Sequence, residues 1–139
     1  MAETSLRAQL ENWGQRHGDY GVEPAICDHH QSITWFADLA GGVAELHKVG
    51  TMHRDLKPEN CLLFHDDHRL RLRVSDLGSS SQFRGKDATS HTPGLCTLWY
   101  RAPEILAGRP YDELVDIWSA GCIFLELLLG KPPFQLCDT

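Results

Sequence analysis

The sequence has no excess of positive charge, no paired cysteines and no long apolar run. Thirteen Lys and Arg stand against nineteen Asp and Glu, a net charge of -6. The basic residues are scattered rather than striped, so a nucleic-acid partner has no electrostatic support. The five cysteines (Cys27, Cys61, Cys96, Cys122, Cys137) form no C-x-x-C pair and are odd in number. That argues for reduced thiols in an intracellular protein, in the cytoplasm or the nucleus, rather than for a disulfide framework or a zinc site. The histidine pairs His29/His30 and His65/His68 have no second pair at ligand spacing and read as surface residues. The most apolar stretch, Ile117 to Leu129, contains Glu126 and falls short of the roughly 20 residues needed to span a bilayer. It reads as a buried helix, with no membrane partner expected. Met1-Ala-Glu-Thr opens neither a signal peptide nor a myristoylation site. Nothing repeats, and no segment is of low complexity.

What is present suits one domain. The 139 residues are 42% hydrophobic and 23% charged, enough for one core and too few for two. Ser5 to Asn12 predicts a short amphipathic helix with Leu6 and Leu10 on one face, ended by Gly14, Gly18, Gly21 and Pro24. From about His30 to Val49, Ile33, Phe36, Ala37, Ala40, Val43, Ala44 and His47 recur at helical spacing. Ser32 is a candidate N-cap and Gly50 a candidate stop. Gly41-Gly42 inside a helix implies close packing against a neighbour. Cys61–Phe64 and Leu70–Val74 predict a hairpin around the polar turn His65-Asp66-Asp67-His68. Asp76 to Gly94 reads as a long mobile loop. Pro103-Glu104 opens a helical turn, and a long apolar helix runs from Asp112 or Glu113 to Leu129, stopped by Gly130. Trp118 is expected in the core.

The run His53-Arg54-Asp55-Leu56-Lys57-Pro58-Glu59-Asn60 carries the chemistry. Phosphoryl transfer needs a positioned nucleophile, metal ions on the phosphates and stabilised charge. Asp55 is a carboxylate able to orient a hydroxyl and accept its proton. Lys57 can reach a transferring phosphate, and Asn60 offers a carbonyl oxygen to Mg²⁺. Asp76, at the end of the second strand and two residues before Gly78, suits the other half of a metal clamp.

This run, with Asp76-Leu77-Gly78, Ala102-Pro103-Glu104 and Asp116-Ile-Trp-Ser-Ala-Gly-Cys122 in order, resembles the signature set of eukaryotic-type Ser/Thr protein kinases. The block Thr97-Leu-Trp-Tyr-Arg-Ala-Pro-Glu104 is similar to the cyclin-dependent and mitogen-activated branch. The resemblance implies a mainly α fold with a small β-hairpin: a partial C-terminal lobe of the α+β kinase fold spanning 1–139, with the activation segment at about 76–104. It implies ATP and Mg²⁺ as cofactors, a protein substrate and an activating protein partner. Asp55 would be the catalytic base and Lys57 the phosphate-binding lysine. Asn60 and Asp76 would hold the metal, and Leu62 would floor the adenine pocket. Arg54 would pair with a phosphorylated Thr92, while Thr97 and Arg101 would position substrate, Arg101 in a site that is often proline-directed. Asp116 would hold the catalytic-loop backbone. Glu104 would look for an arginine that this sequence does not contain. Leu77 departs from the usual Phe, a mild change between apolar residues.

No G-x-G-x-x-G, strand lysine or lysine-pairing helix glutamate precedes Leu6. The N-terminal lobe is therefore expected to be absent, the isolated chain to have little activity, and the apolar helix to be partly bare. Two readings stay open: part of an active kinase, or a non-catalytic interaction module.

Overall fold

The computed structural model describes residues 4–17, 29–82 and 95–134. Ser5 caps the first helix: its Oγ accepts the Ala8 N–H at 3.1 Å. Helix α1 (Leu6–His17) buries Leu6 and Leu10 as expected, but it runs on through Gly14. A single glycine costs a helix only about 1 kcal/mol, and the tertiary contacts of α1 outweigh that. Thr4–Ser5, immediately before α1, form a short strand β1 that the sequence did not signal.

Helix α2 (His29–Lys48) starts earlier than Ser32 would set it, so Ser32 lies buried in the first turns and is not the N-cap. Its buried face is Ser32, Trp35, Leu39 and Val43, whereas Ile33, Ala37, Ala40 and Ala44 are exposed. Alanine fits either side of a helix, and the bulky Trp35 and Leu39 decide which face goes inward. Gly50 ends the segment in the left-handed region at φ 75°, its N–H reaching His47 O at 2.9 Å. Of the glycine pair, only Gly42 is tightly packed: a Cβ there would lie 3.0 Å from Val74 Cγ2, while one on Gly41 would meet nothing within 4 Å.

Strands β3 (Cys61–Asp66) and β4 (Arg69–Val74) form the expected hairpin, in register from Cys61↔Val74 to Asp66↔Arg69. The turn itself is only Asp67-His68, both at positive φ, which suits the right-handed twist of the strands. β1 adds to the other edge of β3 (Ser5↔Leu62), giving the order β1-β3-β4. The Leu63↔Leu72 pair faces the core. β4 docks on α2, where Trp35 Nε1 donates to Leu70 O at 3.0 Å and Arg71 Nη2 pairs with Asp38 Oδ1 at 2.6 Å.

The segment expected as one mobile loop begins with structure. Leu77–Ser79 make a 3-10 turn, and strand β5 (Ser81–Gln82) pairs antiparallel with β2 (Thr51–Met52). The rest of that expected loop, including Thr92, lies outside the described residues. Leu95–Tyr100 wind as a 3-10 turn, α3 (Pro103–Leu106) follows, and α4 (Leu114–Leu129) ends at Gly130 with φ 75°. Val115, Ile123 and Leu127 of α4 are in the core. Leu114, Ile117, Leu125 and Leu129 are exposed, the bare apolar face expected of this helix. Trp118 belongs to that face rather than to the core, at 38% exposure, stacked on Phe134 at 5.6 Å between ring centroids. Among the described residues no helix is long and apolar enough to cross a membrane.

Candidate active site

The loop between β2 and β3 is held from below by α4. Asp116 is fully buried, and its carboxylate accepts the backbone N–H of His53 at 2.7 Å and of Arg54 at 2.8 Å. His47 Nε2 lies 2.8 Å from the same carboxylate. These partners compensate the desolvation of a buried charge. Arg54 takes a left-handed backbone, φ 70°, a conformation a non-glycine residue keeps only where its surroundings impose it.

His53 is fully buried and braces the loop from inside. Its Nδ1 accepts the Asp55 N–H at 3.2 Å, so the ring proton is on Nε2, 2.8 Å from the Ser75 carbonyl that accepts it. One neutral imidazole therefore ties the loop to the end of β4. Asn60 adds a second tie. Its Nδ2 donates to Asp55 O at 2.8 Å, and its carbonyl oxygen accepts from Ser75 N at 2.8 Å and Ser75 Oγ at 3.1 Å.

The reactive groups project from this frame. Asp55 Oδ2 is 3.4 Å from Lys57 Nζ, while Asp55 Oδ1 is buried with no hydrogen-bond partner among the described residues. A carboxylate oxygen left bare in this way is an acceptor waiting for a donor. Asn60 spends its amide N–H on the loop, which leaves its side-chain oxygen without a hydrogen bond among the described residues. Asp76 follows β4 in the left-handed region at φ 60°. Its side chain is exposed apart from one 3.3 Å contact from Gly78 N. Since Cys61 pairs with Val74, Asn60, one residue beyond, and Asp76, two residues beyond, sit at the same open end of the hairpin.

This donor set fits Mg²⁺ with a nucleotide. A hard, octahedral cation takes one or two protein oxygens and completes its shell with water and phosphate. Among the described residues no three His, Cys, Asp or Glu side chains cluster, so a site made wholly from such side chains is not seen there.

The remaining expected site residues are placed as follows. Leu62 is half-buried on β3, on the strand face opposite Cys61 and Leu63. Arg54 Nη1 donates to the Tyr111 hydroxyl at 3.3 Å. Its expected partner Thr92 is outside the described residues, as is the side chain of Thr97. Arg101 is half-buried, its Nε without a hydrogen-bond partner among the described residues. Glu104 opens α3 and makes no ion pair among the described residues. The bracing roles of His47 and His53 were missed in the sequence; the spacing of a histidine from a distant aspartate carries no signal.

The hairpin thus joins the braced acidic loop that carries Asp55 and Asn60 to the exposed Asp76. The sequence profile of the protein kinase domain matches residues 6–139, and the chain belongs to that family. It is 44% identical over 112 residues to a protein of Encephalitozoon cuniculi (strain GB-M1) described as a probable cell division protein kinase, covering 80% of this chain and 33% of that protein. It is 47% identical over 97 residues to cyclin-dependent kinase B2-1 of Oryza sativa subsp. japonica, covering 69% and 29%. With cyclin-dependent kinase 11B of Mus musculus the identity is 46% over 102 residues, covering 73% and 12%. The chain thus spans at most a third of the length of these relatives. Its partial kinase fold is the one expected from its motifs.

Proposed function

We propose that these residues supply the base and the metal ligands for transfer of the ATP γ-phosphoryl group to Ser or Thr hydroxyls of a protein. The observation that carries this is the bare, buried Asp55 Oδ1 beside Lys57 Nζ. A substrate hydroxyl donates to that oxygen and passes it a proton as it attacks. Lys57 balances charge on the moving phosphoryl group, and Asn60 and Asp76 would hold Mg²⁺, which would supply neutralisation of the phosphate charge. Arg101, half-buried just before α3, would shape the site for the residue after the phosphoacceptor, a proline-directed preference that the kinase resemblance suggests. The names of the relatives point to a cyclin-type protein as the activating partner.

The 139 residues contain no glycine-rich loop and no strand lysine, so by themselves they should transfer little phosphate. The test joins them to the N-terminal part of cyclin-dependent kinase B2-1 and follows phosphorylation of a Ser-Pro peptide. Transfer lost on Asp55→Ala supports the reading, and transfer that survives it overturns the role of Asp55. Robust transfer by the chain alone would overturn the expected inactivity. The exposed Leu114, Ile117, Leu125 and Leu129 favour a second reading, a protein-binding module. A chimera inert towards every Ser or Thr peptide would shift the balance to it.

A further inference from the structure

Arg7 of α1 reaches three groups at once. Its Nε donates to Glu59 Oε1 at 3.0 Å, Nη1 to Glu126 Oε1 at 2.8 Å and Nη2 to the Tyr100 hydroxyl at 2.5 Å. The Tyr100 hydroxyl donates in turn to Glu126 Oε2 at 2.5 Å, closing a ring. Tyr100 and Glu126 are buried, Arg7 is partly buried, and Glu59 is the most open to solvent. Burial works against the Arg7 charge, but Glu126, Tyr100 and Glu59 more than offset it and hold the guanidinium pKa above its ordinary value. Burial beside Glu126 likewise keeps the Tyr100 phenol protonated.

The helices that carry the ring's ends are apolar on their inner sides: Leu6 and Leu10 of α1 and Ile123 and Leu127 of α4 belong, with Tyr100, to the core. A well-packed apolar cluster in place of a buried ion pair is often as stable or more so, so stability alone does not account for the network. Its three ends do. Glu59 lies between Lys57 and Asn60 on the catalytic loop. Tyr100 immediately precedes Arg101, and Glu126 is on the helix whose first turns carry Asp116. A planar guanidinium with donors in fixed directions can hold three segments in one arrangement, which a lysine cannot.

We propose that Arg7 is a positioning residue for phosphoryl transfer, its guanidinium fixing the catalytic loop, the end of the activation segment and the Asp116 helix relative to one another. This rests on the kinase reading above. Arg7 touches none of the reacting groups and acts through Glu59 and Tyr100.

Hydrogen–deuterium exchange on the 139-residue chain tests the coupling without any need for activity. Arg7→Met should speed amide exchange about ten-fold or more in residues 53–60 and 98–102 and leave β3 and β4 unchanged. Arg7→Lys should not restore protection. Millimolar methylguanidinium added to Arg7→Ala should restore it, by refilling the slot. Unchanged exchange in the two segments, or the same acceleration in every element, overturns the proposal. In the active chimera, Arg7→Met should lower kcat about ten-fold or more with the KM for Mg·ATP unchanged; an unchanged kcat overturns it. A chimera that transfers no phosphate with Arg7 intact is instead a failure of the kinase reading, so the two are told apart.

Discussion

Asp116 holds Arg54 in a left-handed backbone conformation: its Oδ1 accepts the Arg54 N–H at 2.8 Å while φ stands at 70°. The second oxygen accepts the His53 N–H at 2.7 Å. Removing the carboxylate strands two donors and releases the residue next to Asp55. Asp116→Ala should cost about 3 kcal/mol, read from urea unfolding. Asp116→Asn keeps one acceptor and should fall between. Equal stability of Asp116→Ala and wild type would refute the bracing role.

The two adjacent glycines of α2 should respond with opposite signs. A methyl group on Gly42 meets Val74 Cγ2 at 3.0 Å, and Gly42→Ala should destabilise by about 1–2 kcal/mol through overpacking. Gly41 faces open space, and Gly41→Ala should stabilise by about 1 kcal/mol through helix propensity. Thermal melts of the two variants side by side decide it, and shifts of the same sign would contradict the packing.

Acid should loosen the contact between α2 and the hairpin. Hydrogen bonds from Arg71 lower the Asp38 pKa below its ordinary 3.8; burial opposes this, and the Leu72 N–H adds to it. A lowered folded-state pKa contributes stability that is fully present above 3.8 and lost as pH falls through the folded value. Asp38→Asn should therefore be less stable than wild type at neutral pH, with the gap closing below 3.8. A gap that persists unchanged into acid would show that the carboxylate charge is not what matters.

Cys61 and Cys122, both buried, should be inert in the folded chain. Burial, with some help from Glu59, pushes the Cys61 thiol up to about 12. Burial pushes Cys122 up to about 11, its backbone hydrogen bond opposing and Glu126 adding to the shift. Neither offers thiolate near neutrality. Mass spectrometry after brief iodoacetamide treatment should find both unmodified in buffer and both alkylated in urea. Labelling of Cys61 in buffer would mean that β3 opens locally.

The loop at 53–60 was legible in the sequence as a motif because its residues are contiguous and each has a chemical reason to be there. The hairpin was legible from alternation, since Leu72 and Arg73 point to opposite sides. The face of α2 was misread because its alanines carry no directional information. Trp118 was misplaced because aromatic size suggests burial, while the helix packs its other side. The Arg7–Glu126 contact was invisible: its partners lie 119 positions apart, and Glu126 read only as an interruption in an apolar run. Strands β1 and β5 are two residues each, too short for any period to show.

Asn60 and Asp76 are set by the open end of the hairpin, where Ser75 N–H meets Asn60 O, and the turn at Asp67-His68 is at the far end. Residues added at the tip, in pairs that keep the strand register, lengthen the two arms without moving the site. That makes the tip the natural place to graft an epitope or a fluorophore, and a stretch where length can drift between lineages at no chemical cost.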